Sequence, residues 1–396
     1  MKNLPRPRRF EMTPPKPSIR RMARAGIVLA VVLALVAPPA RAHAAHVFTQ
    51  AVVAAGETTA AATVLTRPES VVPPEARPGA PVAPDPLIRA MVENVSPAAV
   101  WRYTAQLSGA LPIIVDGAAY TLTTRHTTSG APLAKATQFV GEQLAQSGYA
   151  VEYQAWHKAG HENRNVIGQR PGLTRPGEIY IIGAHLDDMP REGLAPGADD
   201  NASGSAAVLI AAEIMSRYRW ACTLRFALWT GEEQGFFGSS AYTDRAKAND
   251  EAIKGYLNLD MLGYNSEAPR VMNLFWRSAI TGSEQIADLF TTVVSVYDLD
   301  LVPVKFDTIY YPDGDYSDNW SFWAQGYPAI LVIEDSYDDF TPYYHRATDR
   351  IETLDMDYFR TMVQASVGTF AHMTGCLLGR ADHRVWLPLV FAAGRD

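Results

Sequence analysis

Apolar and polar positions alternate along the chain with two different periods. Residues 131–148, APLAKATQFVGEQLAQSG, carry apolar side chains at helical spacing and end in glycine, which predicts a helix closing at Gly148. The next run, AVEYQAWH (150–157), alternates like a half-buried strand. Four later runs, EIYIIGAH (178–185), TLRFALWT (223–230), GYLNLDML (255–262) and PAILVIED (328–335), are too continuously apolar for a sheet with one wet face and predict buried parallel strands. Helical patterns fall between and after them, at 203–217, 236–248, 282–297 and 353–374. Strand and helix therefore alternate, which predicts an α/β fold: a doubly wound, mostly parallel central sheet flanked by helices. Ligands in such sheets bind at the carboxyl ends of the strands.

The two ends of the chain have a different texture. Lys2, Lys16 and six arginines crowd residues 1–26 and lead into an unbroken apolar stretch, Ile27–Ala37, followed by Pro-Pro-Ala-Arg-Ala. This predicts a secretory signal peptide over 1–42, with cleavage after Ala42 or Ala44, and a secreted or extracytoplasmic protein. Eleven apolar residues are too few to cross a bilayer and no later stretch is long enough, so no stable membrane insertion is expected. Residues 43–90 are rich in Ala, Val, Thr and above all Pro, and read as a linker or pro-segment. One large domain is expected over 91–379, and residues 380–396 form an apolar C-terminal tail.

Charge and cysteine content narrow the function classes. Removing residues 1–42 takes away nine basic groups and one acid and moves the formal charge from -7 to about -15. Nucleic acid is thereby excluded as a natural partner. Two cysteines, Cys222 and Cys376, cannot be the main source of stability, so a large hydrophobic core must be. The sequence leaves open whether they pair, and it is silent on oligomeric state.

Carboxylates and histidines collect at the predicted strand ends. His185-Leu186-Asp187-Asp188 follows the first buried strand, Glu232-Glu233 the second and Asp260 the third, while His345 lies in the loop TPYYHRATD after the last. Between them, GADDNASGSAAVLIAAEIM (197–215) sets Asp199, Asp200 and Asn201 against tiny residues that open into an apolar helix. Asp and Asn there could simply be turn formers and helix caps. Adjacent like charges also suggest a cation between them. Each item alone is weak; their joint position at successive strand ends is hard to explain as solvated surface. Mixed His and carboxylate donors suit zinc, with enough oxygens for two ions.

GAHLDD, GADDNASG, WTGEEQGFFGSSAY, NLDMLGY, SDNWSFWAQGYPA and YYHRATDRIETLD together resemble the co-catalytic dizinc metallopeptidases, a family that includes secreted bacterial leucyl aminopeptidases and glutamate carboxypeptidases. The resemblance runs over roughly residues 90–378, and TTRHTTSGAPLAKATQFV resembles the segment ahead of that family's first core helix. It implies two zinc ions per chain. His185 and Asp260 would hold one and Glu233 and His345 the other, with Asp200 bridging them and Asp199 beside the site. Asp187 would fix the His185 ring, and Glu232 would be the general base acting on a water between the ions. The peptide bond after the bridging Asp is usually cis in this family. Tyr344 is one candidate for steadying the oxyanion. The family pattern would put an oxyanion tyrosine where this chain has Gly314, and its Ser-Asp-His motif reads Ser317-Asp318-Asn319 here; Tyr316 or Tyr311 are substitutes if the loop is shifted.

Peptide or protein N-termini are the expected substrates. The support for aminopeptidase over carboxypeptidase is an apolar neighbourhood with Met261, Phe322, Trp323 and Tyr343, and the lack of an arginine cluster near the motifs. Three alternatives stand beside it: a glutamate-type carboxypeptidase, a one-zinc glutaminyl cyclase on the same scaffold, and a binding protein that kept the fold and lost catalysis.

Overall fold

The computed structural model describes residues 83–381. The predicted signal peptide, most of the proline-rich segment and all but the first two residues of the tail lie outside them. At the end of the proline-rich segment Asp85 caps a helix, α1 (Pro86–Glu93), by accepting from the amides of Leu87 and Ile88, and Ile88 and Met91 are buried. Proline at the first helical position has no amide to leave unpaired, so PDP starts a helix here instead of prolonging a linker. Helix α2 (Pro97–Leu107) and a short hairpin, β1 (Ile113–Val115) with β2 (Ala118–Tyr120), follow.

Eight strands form the central sheet: β3 (Ala150–Lys158), β4 (His161–Arg170), β5 (Arg175–His185), β7 (Cys222–Trp229), β8 (Ala252–Leu259), β9 (Val271–Trp276), β10 (Val302–Asp307) and β11 (Ala329–Glu334). Their spatial order is β10-β9-β11-β8-β5-β7-β4-β3. The four apolar runs become β5, β7, β8 and β11 and lie parallel at the centre. The flanks are mixed: β4 is antiparallel to β7 and to β3, and β9 is antiparallel to β11. Strands β4 and β10 escape the sequence pattern because polar residues stand at a strand end or along an edge, as in HENRNVIGQR and VPVKFD, and β9 escapes it because the buried Asn273 interrupts its short apolar run. The remaining short strands, β6 (Tyr218–Trp220) and β12 (Leu377–Arg380), pair with each other, and Ala381 extends the contact by donating to the Arg217 carbonyl.

Helices α3 (Ala131–Gln146), α4 (Gly204–Met215), α5 (Phe237–Ala248), α6 (Ser283–Val296), α7 (Asn319–Ala324) and α8 (Met356–Thr374) cover the sheet. Helix α4 is apolar around almost its whole circumference, and eleven of its residues are buried; such a helix belongs inside a core and not on a surface. Cys222 and Cys376 form a disulfide that ties the start of β7 to the chain after α8, across 154 residues.

The connections place the site. From β5 the chain crosses by α4 to β7 on one side, then by α5 to β8 on the other, so the strand order reverses at β5. The crevice beyond that reversal is where doubly wound sheets bind ligands. His185 is the last residue of β5, in register with Trp229 of β7.

Candidate metal centre and active site

Each side chain at the crevice is delivered by a strand end or by the turn that follows one. His185 closes β5, Asp187 lies two residues on, Glu232 and Glu233 follow β7, and Asp260 follows β8. Asp200 comes from the tight turn Ala198–Ser203 that opens α4, and His345 from the long loop after β11. That turn is stapled on every side. Asp349 accepts from the amides of Asp199 and Asp200, and Asn201 donates to the Leu259 carbonyl while accepting from the Gly204 amide. A Cβ on Gly204 would stand 2.4 Å from both the Leu259 carbonyl oxygen and Asn201 Oδ1, so only glycine lets α4 begin this close to β8. The Asp200–Asn201 peptide bond is cis.

Asp200 is the hub. Its Oδ1 lies 3.3 Å from Nε2 of His185 and its Oδ2 3.2 Å from Nε2 of His345. His185 Nε2 also lies 3.1 Å from Asp260 Oδ1, and His345 Nε2 lies 2.9 Å from Glu233 Oε2. Donor atoms converge in three groups, each spanning no more than 4.8 Å: His185 with Asp200 and Asp260; His185 with Glu232 and Glu233; and Asp200 with Glu233 and His345. The two groups that share Asp200 are the pair expected for two ions. Asp199 turns away, its carboxylate accepting from the Gly263 amide.

The electrostatics call for cations. Burial alone would lower His185, yet Asp260, Glu232 and Asp200 raise it well above the usual imidazole range. Burial is overcome in the same way at His345, where Glu233 and Asp200 push the ring up to about 11. Burial lifts Glu232 well above the carboxylate range and Glu233 to about 7. Metal binding needs the carboxylates ionised and the imidazoles neutral, and in that state the four carboxylates of the centre carry an excess of negative charge that dications would neutralise. The buried Glu233 Oε1 also lacks a hydrogen-bond partner. Mixed N and O donors of this kind fit zinc.

Asp187 faces His185 with both its main-chain carbonyl and its carboxylate, the carbonyl being nearer. Nδ1 of His185 is 3.1 Å from the Asp187 main-chain carbonyl and 3.9 Å from its carboxylate. The carboxylate instead accepts from the amides of Glu232 and Glu233 and from the Thr127 hydroxyl, at 3.3, 3.4 and 2.8 Å. Asp187 thus meets the His185 ring through its carbonyl and the Glu-Glu turn through its carboxylate. Thr127 belongs to the TTRHTT segment, whose Arg125 is wholly buried, pairs with Asp188 and donates to the carbonyls of Leu186, Pro196 and Gly197.

The Ser317-Asp318-Asn319 turn is buried against the same site, a role the sequence did not assign. A continuous chain runs from Trp229 Nε1 to the Tyr256 hydroxyl (2.8 Å), to Asn258 Oδ1 (2.6 Å), then from Asn258 Nδ2 to Ser317 Oγ (2.7 Å) and on to Asp260 Oδ2 (2.7 Å). The Asp318 carboxylate is buried and faces Ser239. No tyrosine could occupy position 314, because a Cβ there would stand 2.5 Å from the Phe275 ring. Tyr311 packs against Phe306 on the outer face. Tyr344 stacks on the His345 ring, centroids 3.7 Å apart, and burial and the charges of Asp200, Glu233, Glu232 and Asp260 hold its phenol protonated, well above its ordinary value.

Part of the apolar neighbourhood is core. Phe322 and Trp323 are buried with Trp229, Tyr242 and Tyr256 in a second hydrophobic cluster behind the sheet end, because α7 turns its aromatic face inward. They carry no information about substrate. Tyr343 packs edge-on against Tyr264, and Met261 is buried.

A model of peptidase family M28 matches residues 165–369. A probable leucine aminopeptidase of Trichophyton verrucosum (strain HKI 0517) is 28% identical over 214 residues, which are 52% of this chain and 55% of that protein. The chain thus matches little more than half the length of that curated relative. Among solved structures, the LapA aminopeptidase of Legionella pneumophila has a TM-score of 0.59 at 18% identity, covering 72% of this chain and 74% of that one. A zinc aminopeptidase from Bacillus subtilis has a TM-score of 0.56 at 14% identity, covering 70% and 95%. At these identities the structural likeness shows the fold.

Proposed function

Since the chain belongs to peptidase family M28, we propose that it is an exported, zinc-dependent aminopeptidase that removes N-terminal residues from peptides by means of a two-ion centre. The observation that carries the reading is Asp200, whose two oxygens face two different histidines. A carboxylate so placed can bridge two ions. His185 and Asp260 would complete one coordination set and Glu233 and His345 the other.

Zinc, when bound, supplies a Lewis acid for the scissile carbonyl and acidifies water. The rest is done by the chain. Glu232 is in reach of the same centre yet free of the Asp200-centred pairs, so it takes the proton of the attacking water and delivers it to the departing amine. Its buried setting raises its proton affinity toward what such a shuttle needs. The Tyr344 phenol keeps its proton and donates to the oxygen that gains charge in the transition state. Asp187 holds both Glu amides and thereby the distance between base and ligand. Acidic groups left over at the centre favour a substrate that brings a free ammonium. Export is read from residues 1–42, and the Cys222–Cys376 bridge suits an oxidising compartment.

Zinc content and steady-state cleavage of Leu-p-nitroanilide, of a free tripeptide and of its N-acetylated form test the reading. Two ions per chain and cleavage of the free amines alone are expected. Equal rates on the acetylated peptide would favour a different peptidase class, and one ion in a fully active enzyme would overturn the two-ion centre.

A further inference from the structure

One short segment outside every helix and strand, residues 124–128, reaches both turns that bring carboxylates to the centre. Two alternate residues do so. Arg125 is wholly buried, and its guanidinium donates to the carbonyls of Leu186, Pro196 and Gly197 at 2.8, 2.9 and 2.9 Å. Gly197 immediately precedes the turn that carries Asp200, and its carbonyl also accepts from the Ala202 amide within that turn. The Arg125 amide donates to both oxygens of Asp188, the ion-pair partner of its own side chain. Thr127 is buried as well, and its hydroxyl donates to the Asp187 carboxylate at 2.8 Å. The Thr127 carbonyl accepts from Asn163 on β4, so the sheet fixes the segment from its other side.

The Asp187 carboxylate is a fully buried anion with unequal donors. The Thr127 hydroxyl lies 2.8 Å away, the Glu232 and Glu233 amides 3.3 and 3.4 Å. His185 stands 3.9 Å from that carboxylate, and Arg125 is committed to Asp188. The short bond therefore sets the rotation of the carboxylate, and the two longer bonds pass that orientation to the turn that holds the base and an outer ligand. A misplacement of about 1 Å at such a site can cost about a hundredfold in rate. The inner ligands do not depend on the hydroxyl. The Asp187 group nearest the His185 ring is its main-chain carbonyl, and Asp260 is held by Ser317.

We propose that Thr127 is a positioning residue of the reaction: its hydroxyl locks the Asp187 carboxylate, and through it the Glu232-Glu233 turn, at the spacing from the Asp200 turn that Arg125 fixes two residues earlier. The proposal rests on the two-ion aminopeptidase reading for the roles of Glu232 and Glu233. Segment 124–128 is then a strut between two ligand-bearing turns. Removing one hydroxyl behind the centre weakens the base and the outer site together and spares the inner site.

Thr127→Val keeps the shape and removes the hydroxyl, whereas Thr127→Ser keeps the hydroxyl and removes the methyl. Zinc affinity at each site, read by competition with a chelator, is measured beside kcat and KM for Leu-p-nitroanilide in wild type and both variants. Thr127→Val should weaken the outer ion and lower kcat at saturating zinc, each by roughly tenfold, with KM and the inner ion changed by less than about threefold. Thr127→Ser should stay within about threefold of wild type throughout. Outer-ion affinity and kcat that both stay within about threefold in Thr127→Val would overturn the proposal. So would a loss that Thr127→Ser shares, or one in which both ions weaken equally or folded structure by circular dichroism declines with them, because Thr127 would then be a packing residue. Wild type that cleaves no free-amine substrate would instead overturn the aminopeptidase reading, while the chelator comparison, which needs no substrate, still decides the strut.

Discussion

The two histidine sets that meet at Asp200 are built in unlike ways. The His185 side chain is 2% exposed and that of His345 is 28% exposed. His185 sits on a strand, its Nδ1 faces the Asp187 carbonyl, its own carbonyl accepts from Ser205, and its partner Asp260 is held through Ser317 by a hydrogen-bond chain that reaches back to Trp229. His345 sits in a loop in a left-handed backbone conformation, with φ of 57°, and its ring is supported by a stacked tyrosine. The inner set is preorganised by the sheet. The outer set is held by a loop and its side-chain contacts with Asp200, Glu233 and Tyr344. Surrounding bonds that orient a ligand contribute to metal affinity, so the inner ion should be bound more tightly and the outer one should exchange first.

The comparison can be broken most severely at the paired glutamates. Glu232→Gln should keep both zincs and lower kcat by about 10²–10⁴-fold with little change in KM, whereas Glu233→Ala should lose the outer ion and activity with it. Metal analysis beside kinetics separates the two, and a Glu232→Gln protein that lost an ion would show that the roles are reversed.

Next in size is Tyr344. Tyr344→Phe keeps the ring on His345 and removes only the hydroxyl, so metal content should be unchanged while kcat falls by about 10²–10³-fold, the usual loss for one oxyanion donor. Unchanged turnover would assign the donor elsewhere.

The inner set is sharpened by Ser317→Ala, which unfastens Asp260 Oδ2. Its zinc affinity should fall by about 10–100-fold, read by competition with a chelator, while the outer ion keeps its affinity. Wild type stripped by a graded chelator should lose its two ions in two steps, and loss in a single step would contradict the inner–outer distinction.

The smallest effect concerns the second layer. His126 is 4% exposed, accepts from the Thr128 amide, and lies by Gln234 and near Asp187. Burial lowers its proton affinity, with Asp187 opposing. The unfolded chain then binds more protons than the folded one as pH falls through about 6.5, so stability should decline on that acid side by at most about 1.4 kcal/mol per pH unit from this group. His126→Gln should flatten denaturant-unfolding stability between about pH 6.5 and 5 relative to wild type. An unchanged pH slope would show that the ring titrates freely.

Much of this site was legible in the chain because its residues sit where a one-dimensional rule applies. A strand buried on both faces is a continuous apolar run, and its end is marked by the first charges, so His185, Glu232, Glu233 and Asp260 could be located from sequence. What escaped lay in contacts between distant segments. Ser317 and Asp260 are 57 residues apart, and Asp349 reaches the Asp199 amide across 150. A serine or aspartate in a loop has no local pattern that distinguishes a solvated turn from a buried brace. The aromatic residues failed for the opposite reason. Phe322, Trp323, Tyr310 and Tyr337 look alike in sequence, but the first two face the core and the last two face outward.

By itself the sequence determined the class of fold, the boundaries of the main helices, and which carboxylates and histidines meet at the strand ends, because hydrophobic period and residue type are local properties. Tertiary structure decided which oxygen of Asp200 faces which imidazole, that the Asp187 carbonyl lies nearer the His185 ring than its carboxylate, that position 314 has no room for a side chain, and that Tyr344 stacks on His345. Those outcomes depend on distances of a few ångströms between segments brought together only when the sheet closes, and no spacing along the chain encodes them.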